Sequence, residues 1–332
     1  MKVKRILIGH AGGLGDLLLA LPAMRLFCQN FSPYELELLG YPERLALISW
    51  DLKAQAMHSI DSAEIAYLFS SVDEIPSNLK AFFSSFEIAL IFGQSWAKGL
   101  EKGLQKSGMK EILFLNTFPK NKGRIHIHDH LMADLKSFGI KGSIEKSPLQ
   151  LPKEAEKFAH QFWAEKNIYP LPKVLAIHPG SGNPAKNWPA QNFAQVADYF
   201  ADLAKILLIS GPAPDGGQEV MSELKKAKPI MVHNLPLLKL AGLLKNCVAF
   251  IGNDSGITHL AASLGIPTLS IFGPTDPQVW GPQGEKVQVL YGHTPCSPCW
   301  PDIPHSCSRS CLYDLHAEMV IERLATWVEF AK

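Results

Sequence analysis

Residues 5–23, RILIGHAGGLGDLLLALPA, admit two incompatible readings, and the choice between them decides the fold. Lys2, Lys4 and Arg5 precede an apolar run that closes on Ala20-Leu21-Pro22-Ala23, an order that imitates a secretory leader. Against this, His10 and Asp16 sit inside the run, and Gly9, Gly12, Gly13 and Gly15 interrupt it. Glycine at that density suits a tight turn and weakens a continuous helix. Arg5 to Gly9 reads as a short buried strand, and from Leu14 to Gln29 the residues Leu17, Leu18, Leu21 and Met24 recur at helical spacing. Asp16 falls in the first helical turn, where the macrodipole favours an anion. The segment is expected to remain on the protein as strand, glycine loop and helix.

The rest of the chain continues that pattern. Strands are expected at 35–39, 86–92 and 111–115, with helices at 43–49, 95–107, 128–138 and 153–166. A second series follows, with strands at 174–178, 205–210, 229–233, 248–252 and 268–272 and helices at 190–203, 217–227, 237–245 and 256–264. Such alternation predicts α/β architecture, with mostly parallel sheets and helices on both faces. At 332 residues two domains are the natural expectation. The turn Asn167-Ile168-Tyr169-Pro170-Leu171-Pro172 suggests the division 1–165, 166–315, and a C-terminal helix 316–332 packing back toward the first domain. A net charge of +1 gives no reason to expect nucleic acid. No apolar run is long enough to cross a bilayer as a helix.

Two segments carry candidate chemistry. In residues 251–259, IGNDSGITH, a strand ends, Asp254 or Ser255 caps, and a helix starts whose free N–H groups suit a phosphate; His259 lies one turn in. In residues 177–189, IHPGSGNPAKNWP, Gly180 and Gly182 permit close backbone approach, Ser181 offers a hydroxyl, and three prolines stiffen the loop that holds Lys186. Neither a Walker loop nor a complete dinucleotide fingerprint is present, since Leu18 replaces the third glycine. The chain also contains no Asp-x-Asp. A diphosphate would then be neutralised by lysine and helix termini rather than by a bound divalent cation.

Three blocks together resemble glycosyltransferase family 9, the heptosyltransferases: Gly12-Gly13-Leu14-Gly15-Asp16 through Pro22-Ala23; His178 to Pro189; and Gly252 to Gly256 with His259-Leu260-Ala261-Ala262, followed by Phe272 to Pro277 and Trp280. The resemblance implies a GT-B fold, two Rossmann-like doubly wound domains facing across a cleft, with acceptor on the first and nucleotide sugar on the second. It implies an inverting, metal-independent transfer of heptose from ADP-heptose to a lipopolysaccharide-core acceptor, with no cofactor required. Asp16 would be the general base. Lys186, Ser181 and the N–H groups of Ser255 and Gly256 would hold the leaving diphosphate, with His259 beside them and Asp254 counted among the nucleotide-sugar-binding residues. Asp215 and Leu235 match the family's ribose and base contacts, although Pro214-Asp215-Gly216-Gly217 departs from the usual loop. Other readings of the same fold are a different donor or acceptor, protein heptosylation, epimerisation, and non-catalytic nucleotide-sugar binding.

Three features lie outside that core. Seven basic residues between Lys98 and Arg124 face only two acidic ones. With Lys98, Lys102 and Lys106 at i, i+4, i+8, the stretch reads either as a solvated helix face or, with Gly13 and Arg124, as a surface for an anionic acceptor. The resemblance to the heptosyltransferases implies a cytoplasmic enzyme bound peripherally to the inner face of the inner membrane, which such a surface would suit. His126, His128 and His130 have metal-like spacing but no evident fourth ligand. Cys296, Cys299, Cys307 and Cys311 have the paired spacing of a structural zinc or iron site, or are simply reduced and packed together. Cys28 and Cys247 read as inert core thiols.

Overall fold

The computed structural model describes residues 3–69, 74–94, 97–118, 123–144, 147–168, 172–211, 216–304 and 307–329. It divides into two compact units, Met1–Gln150 and Leu151–Lys332. The first runs β1 (Lys4–His10), α1 (Leu14–Asn30), β2 (Tyr34–Gly40), α2 (Pro42–Ser49), β3 (Ala54–Ser59), α3 (Ala63–Phe69), α4 (Ser77–Ser84), β4 (Ile88–Gly93), α5 (Ala97–Lys106), β5 (Ile112–Asn116) and α6 (Ile127–Ser137). Its five strands are all parallel, in the order β3-β2-β1-β4-β5. A parallel sheet covered on both faces needs strands that are apolar throughout. The interior strand β4 satisfies this with six consecutive buried residues.

The second unit runs α7 (Lys153–Glu165), β6 (Val174–His178), a 3-10 turn (Pro184–Lys186), α8 (Ala190–Phe200), β7 (Lys205–Ser210), α9 (Gly217–Glu223), β8 (Ile230–His233), α10 (Leu237–Leu244), β9 (Ala249–Asn253), α11 (Gly256–Ser263), β10 (Thr268–Phe272), α12 (Pro277–Trp280), β11 (Val287–Tyr291), α13 (Ser310–Tyr313) and α14 (Ala317–Val328). The sheet order is β11-β10-β9-β6-β7-β8, again all parallel. In each sheet the chain winds outward in one direction and then restarts beside the first strand. The switch points are therefore β1/β4 and β6/β9, and ligands of open α/β sheets bind at the carboxyl ends of strands there. All three motif blocks identified in the sequence begin at one of these switch strands.

Two boundaries differ from the sequence reading. The units divide after Gln150 rather than after 165, because α7 is a core helix of the second unit. Ala155, Ala159 and Trp163 are buried, and α10 approaches so closely that a Cβ on Gly242 would lie 2.2 Å from the Ala155 carbonyl oxygen. Trp163 Nε1 also donates to Asn246 Oδ1 at 3.2 Å. The terminal helix α14, expected to return to the first domain, buries Val320, Leu324 and Val328 in the second unit's core with Phe193 and Phe200. Lys173 Nζ closes it by donating to the carbonyls of Val328 and Glu329, each at 3.0 Å.

Candidate functional site

In the first unit, β1 delivers His10 and the chain turns through Gly12 and Gly13 into α1. Asp16 Oδ2 accepts the Gly13 N–H at 2.9 Å, so one of the helix's orphan donors is satisfied. At Gly12 a side chain would crowd the loop, since a Cβ there would lie 2.9 Å from His10 Cε1 and 3.2 Å from Asp16 Oδ2. Asp16 is half-buried and Gly13 exposed. Two neighbours were not singled out from sequence. Arg44, on α2, donates to the Gly12 carbonyl at 2.7 Å and lies over the Tyr41 ring. His10 is buried, and its Nε2 has no hydrogen-bond partner among the described residues. Burial, reinforced by the Arg44 guanidinium, pushes His10 down to about 3. A neutral imidazole therefore stands behind the glycine loop at physiological pH.

The basic stretch is placed only in part. Lys98, Lys102 and Lys106 are exposed on α5, whose opposite face buries Ala97, Leu100, Gly103 and Leu104. Arg124 is exposed outside that helix, while Lys120 and Lys122 lie outside the described residues. His126 caps α6, its Nδ1 accepting the His128 N–H at 3.2 Å. His130 Nε2 lies 3.4 Å from Asp134.

In the second unit, two loops meet at the β6/β9 switch point. Asn253, at the end of β9 and fully buried, accepts the Trp188 N–H at 2.9 Å and donates to the Pro179 carbonyl at 2.6 Å. It thus staples the loop after β6 to the loop after β9. Lys186, in the 3-10 turn, reaches Asp254 Oδ2 at 2.9 Å, with the two side chains 16% and 9% exposed. The tip of Lys186 also lies over the Trp300 ring. Ser255 caps α11, accepting the Thr258 N–H at 3.3 Å, and its hydroxyl lies 3.3 Å from His178 Nδ1. Gly256 is the first residue of that helix, and His259 is buried within it. Lysine, helix N-terminus and the stapled loop together set a cation beside free helix N–H groups, an arrangement that suits an anion.

Ser181 is bonded within its own loop. Its hydroxyl lies 2.6 Å from both the Asn183 carbonyl and Asn187 Oδ1, and it accepts the Asn183 N–H at 3.2 Å. The group folds the loop rather than extending from it. Leu235 is half-buried just beyond the carboxyl end of β8. Asp215 lies outside the described residues.

The four clustered cysteines range from exposed Cys296 through half-buried Cys299 and Cys307 to buried Cys311. Burial pushes Cys311 up to about 11, with the charges of Cys299, Cys307 and Cys296 adding to it; Cys299 is raised in the same way. The thiols are close enough to influence one another. Nevertheless, among the described residues no group of three or more His, Cys, Asp or Glu is arranged to hold a metal ion. The donor set suits zinc or iron, but the arrangement of the described side chains does not. The thiol of Cys307 instead accepts the Arg309 N–H at 3.4 Å. Cys28 and Cys247 are buried, as expected, and burial raises both.

Two doubly wound parallel sheets, with an anion-ready loop at the second switch point, define the GT-B class of glycosyltransferase architecture. The chain belongs to glycosyltransferase family 9 (heptosyltransferase), whose model matches residues 82–303; the match includes Lys186 and Asp254 and begins after Asp16. It is 34% identical over 160 residues to lipooligosaccharide heptosyltransferase 2 of Campylobacter jejuni serotype O:2, an alignment covering 46% of this chain and 50% of that protein. Identity to the serotype O:6 protein of the same description is 25% over 323 residues, covering 94% of this chain and 95% of the other. A solved glycosyl transferase family 9 structure from Veillonella parvula superposes with a TM-score of 0.79 at 20% identity, over 100% of this chain and 99% of that one. Among the described residues, no helix is long and apolar enough to cross a membrane.

Proposed function

We propose that the chain transfers a heptose from ADP-heptose to an anionic lipopolysaccharide-core acceptor, by an inverting displacement that needs no metal. The observation that carries this reading is the pairing of Lys186 with Asp254 at the N-terminus of α11. A half-buried cation and a set of helix N–H groups can neutralise a leaving diphosphate without a divalent ion. In the first unit Asp16, oriented by Gly13 N–H, accepts the proton of the acceptor hydroxyl as its oxygen attacks the anomeric carbon. The bond from that carbon to the diphosphate oxygen breaks, and ADP departs with the electron pair. Ser255, Gly256 and His259 line the diphosphate side, whereas Asp215 and Leu235 contact ribose and base. Ser181, bonded within the same loop as Lys186, completes the diphosphate side.

The first unit binds the acceptor through Gly13, Lys98, Lys102 and Arg124, and the second binds the donor. Exposed lysines on α5 suit phosphates and carboxylates of the lipid-linked core, which supports peripheral work at the cytoplasmic face of the inner membrane. The test is turnover in EDTA: ADP release from ADP-heptose should require a heptose-deficient core acceptor and yield an inverted glycosidic linkage. ADP release that is independent of acceptor, or abolished by the chelator, would overturn the proposal.

A further inference from the structure

Trp300 belongs to the cysteine-bearing segment, remote in sequence from both phosphate-side loops, yet its ring centroid lies 4.6 Å from Lys186 Nζ. Its backbone is anchored independently of that contact. The N–H groups of Cys299 and Trp300 both donate to the Pro274 carbonyl at 2.9 Å. Ser297 Oγ donates to the Gly273 carbonyl at 2.6 Å and meets the Tyr291 hydroxyl at 2.7 Å. The same segment reaches the lysine's turn a second time, where Arg309 Nη1 approaches the Pro184 carbonyl at 3.4 Å. Arg309 holds this position from a left-handed backbone, φ 54°, a conformation that non-glycine residues rarely adopt.

We infer that Trp300 is a positioning residue for Lys186, holding the ammonium where it receives the donor's diphosphate. This rests on the reading that Lys186 binds that diphosphate. Asp254 and Trp300 hold the same cation by different means. The carboxylate competes with an incoming phosphate for the ammonium, and its charge repels the ligand. The indole attracts the ammonium through its ring quadrupole and adds no net negative charge. Once the phosphate has drawn the ammonium away from Asp254, the ring contact persists and restricts an otherwise flexible side chain.

The experiment is calorimetric titration with ADP of the full chain and of Trp300→Leu, Trp300→Phe, Lys186→Met and the Lys186→Met/Trp300→Leu double variant, with a thermal melt of each. Trp300→Leu should weaken ADP roughly 3- to 30-fold, and Trp300→Phe should recover most of that loss. In the Lys186→Met background Trp300→Leu should have no further effect, since the ring acts through the lysine. Full affinity in Trp300→Leu overturns the inference. So does an equal loss in both backgrounds, which would place the indole against the nucleotide itself. If Lys186→Met binds ADP like the parent, the phosphate assignment fails and this inference falls with it; if only the Trp300 arm fails, the assignment stands.

Discussion

Replacing Asp16 by Asn separates catalysis from folding more cleanly than any other single change. Asp16 Oδ2 accepts the Gly13 N–H at 2.9 Å, and the amide oxygen of Asn can accept the same bond. The cost to stability should therefore stay within about 1 kcal/mol, a shift of roughly 2–4 °C for units of this size. What disappears is the carboxylate. Losing a positioned general base costs about 10²- to 10⁴-fold in kcat, equivalent to about 3–5 kcal/mol of transition-state stabilisation. Donor affinity should be unchanged, because the Lys186–Asp254 pair belongs to the other unit. Asp16→Ala provides the contrast: it loses the bond to Gly13 as well, so its activity should fall similarly while its melting temperature drops further. The assay is acceptor-dependent ADP release, with calorimetry for donor binding. A kcat for Asp16→Asn within threefold of the parent would refute the assigned role.

His10 makes stability depend on pH. Its folded pKa is pushed down to about 3, whereas the unfolded chain takes up the proton near 6.5. Between those values the unfolded state binds more protons, so stability falls on acidification from about pH 6.5 toward 3, by up to about 1.4 kcal/mol per pH unit. Urea denaturation across that range should show a shallower slope in His10→Asn; an unaltered slope would remove His10 as the cause. For the thiols, exposed Cys296 should react first with a disulfide reagent at pH 8. Buried Cys28 and Cys311, pushed up to about 12 and 11, should wait for unfolding, and equal rates for Cys311 and Cys296 would contradict the arrangement. Charge reversal at Lys98 and Lys102 should raise the acceptor KM, leave that for donor alone, and show a salt-sensitive difference from the parent. An unchanged acceptor KM would reduce these lysines to a solvated face.

Much of this fold is legible in the chain because its central strands are continuous apolar runs and its helices carry a clear period. The stretches missed lack those signals. β3, Ala54–Ser59, is a half-exposed edge strand containing two alanines, and β11 is an edge strand of the second sheet with only Leu290 buried. The division between units was obscured by a proline-rich turn after α7, although the decisive contact is the approach of Gly242 to Ala155. In the site, Lys186 and Asp254 were legible because each sits in a glycine-bearing loop that follows a strand. Arg44, Asn253 and Trp300 were not, since their roles depend on partners 32, 65–74 and 114 positions away. Only a buried Asn ending a strand offered any local hint. The bonds that tie the Ser181 hydroxyl to Asn183 and Asn187 inside its own loop were likewise not legible.

The most direct test of the central claim is calorimetric binding of ADP-heptose against UDP- and GDP-sugars, in EDTA. The account predicts tight binding of ADP-heptose that the chelator leaves intact, with the other nucleotides at least tenfold weaker. Preference for a uridine or guanosine nucleotide, or binding that appears only when a divalent ion is added, would contradict it.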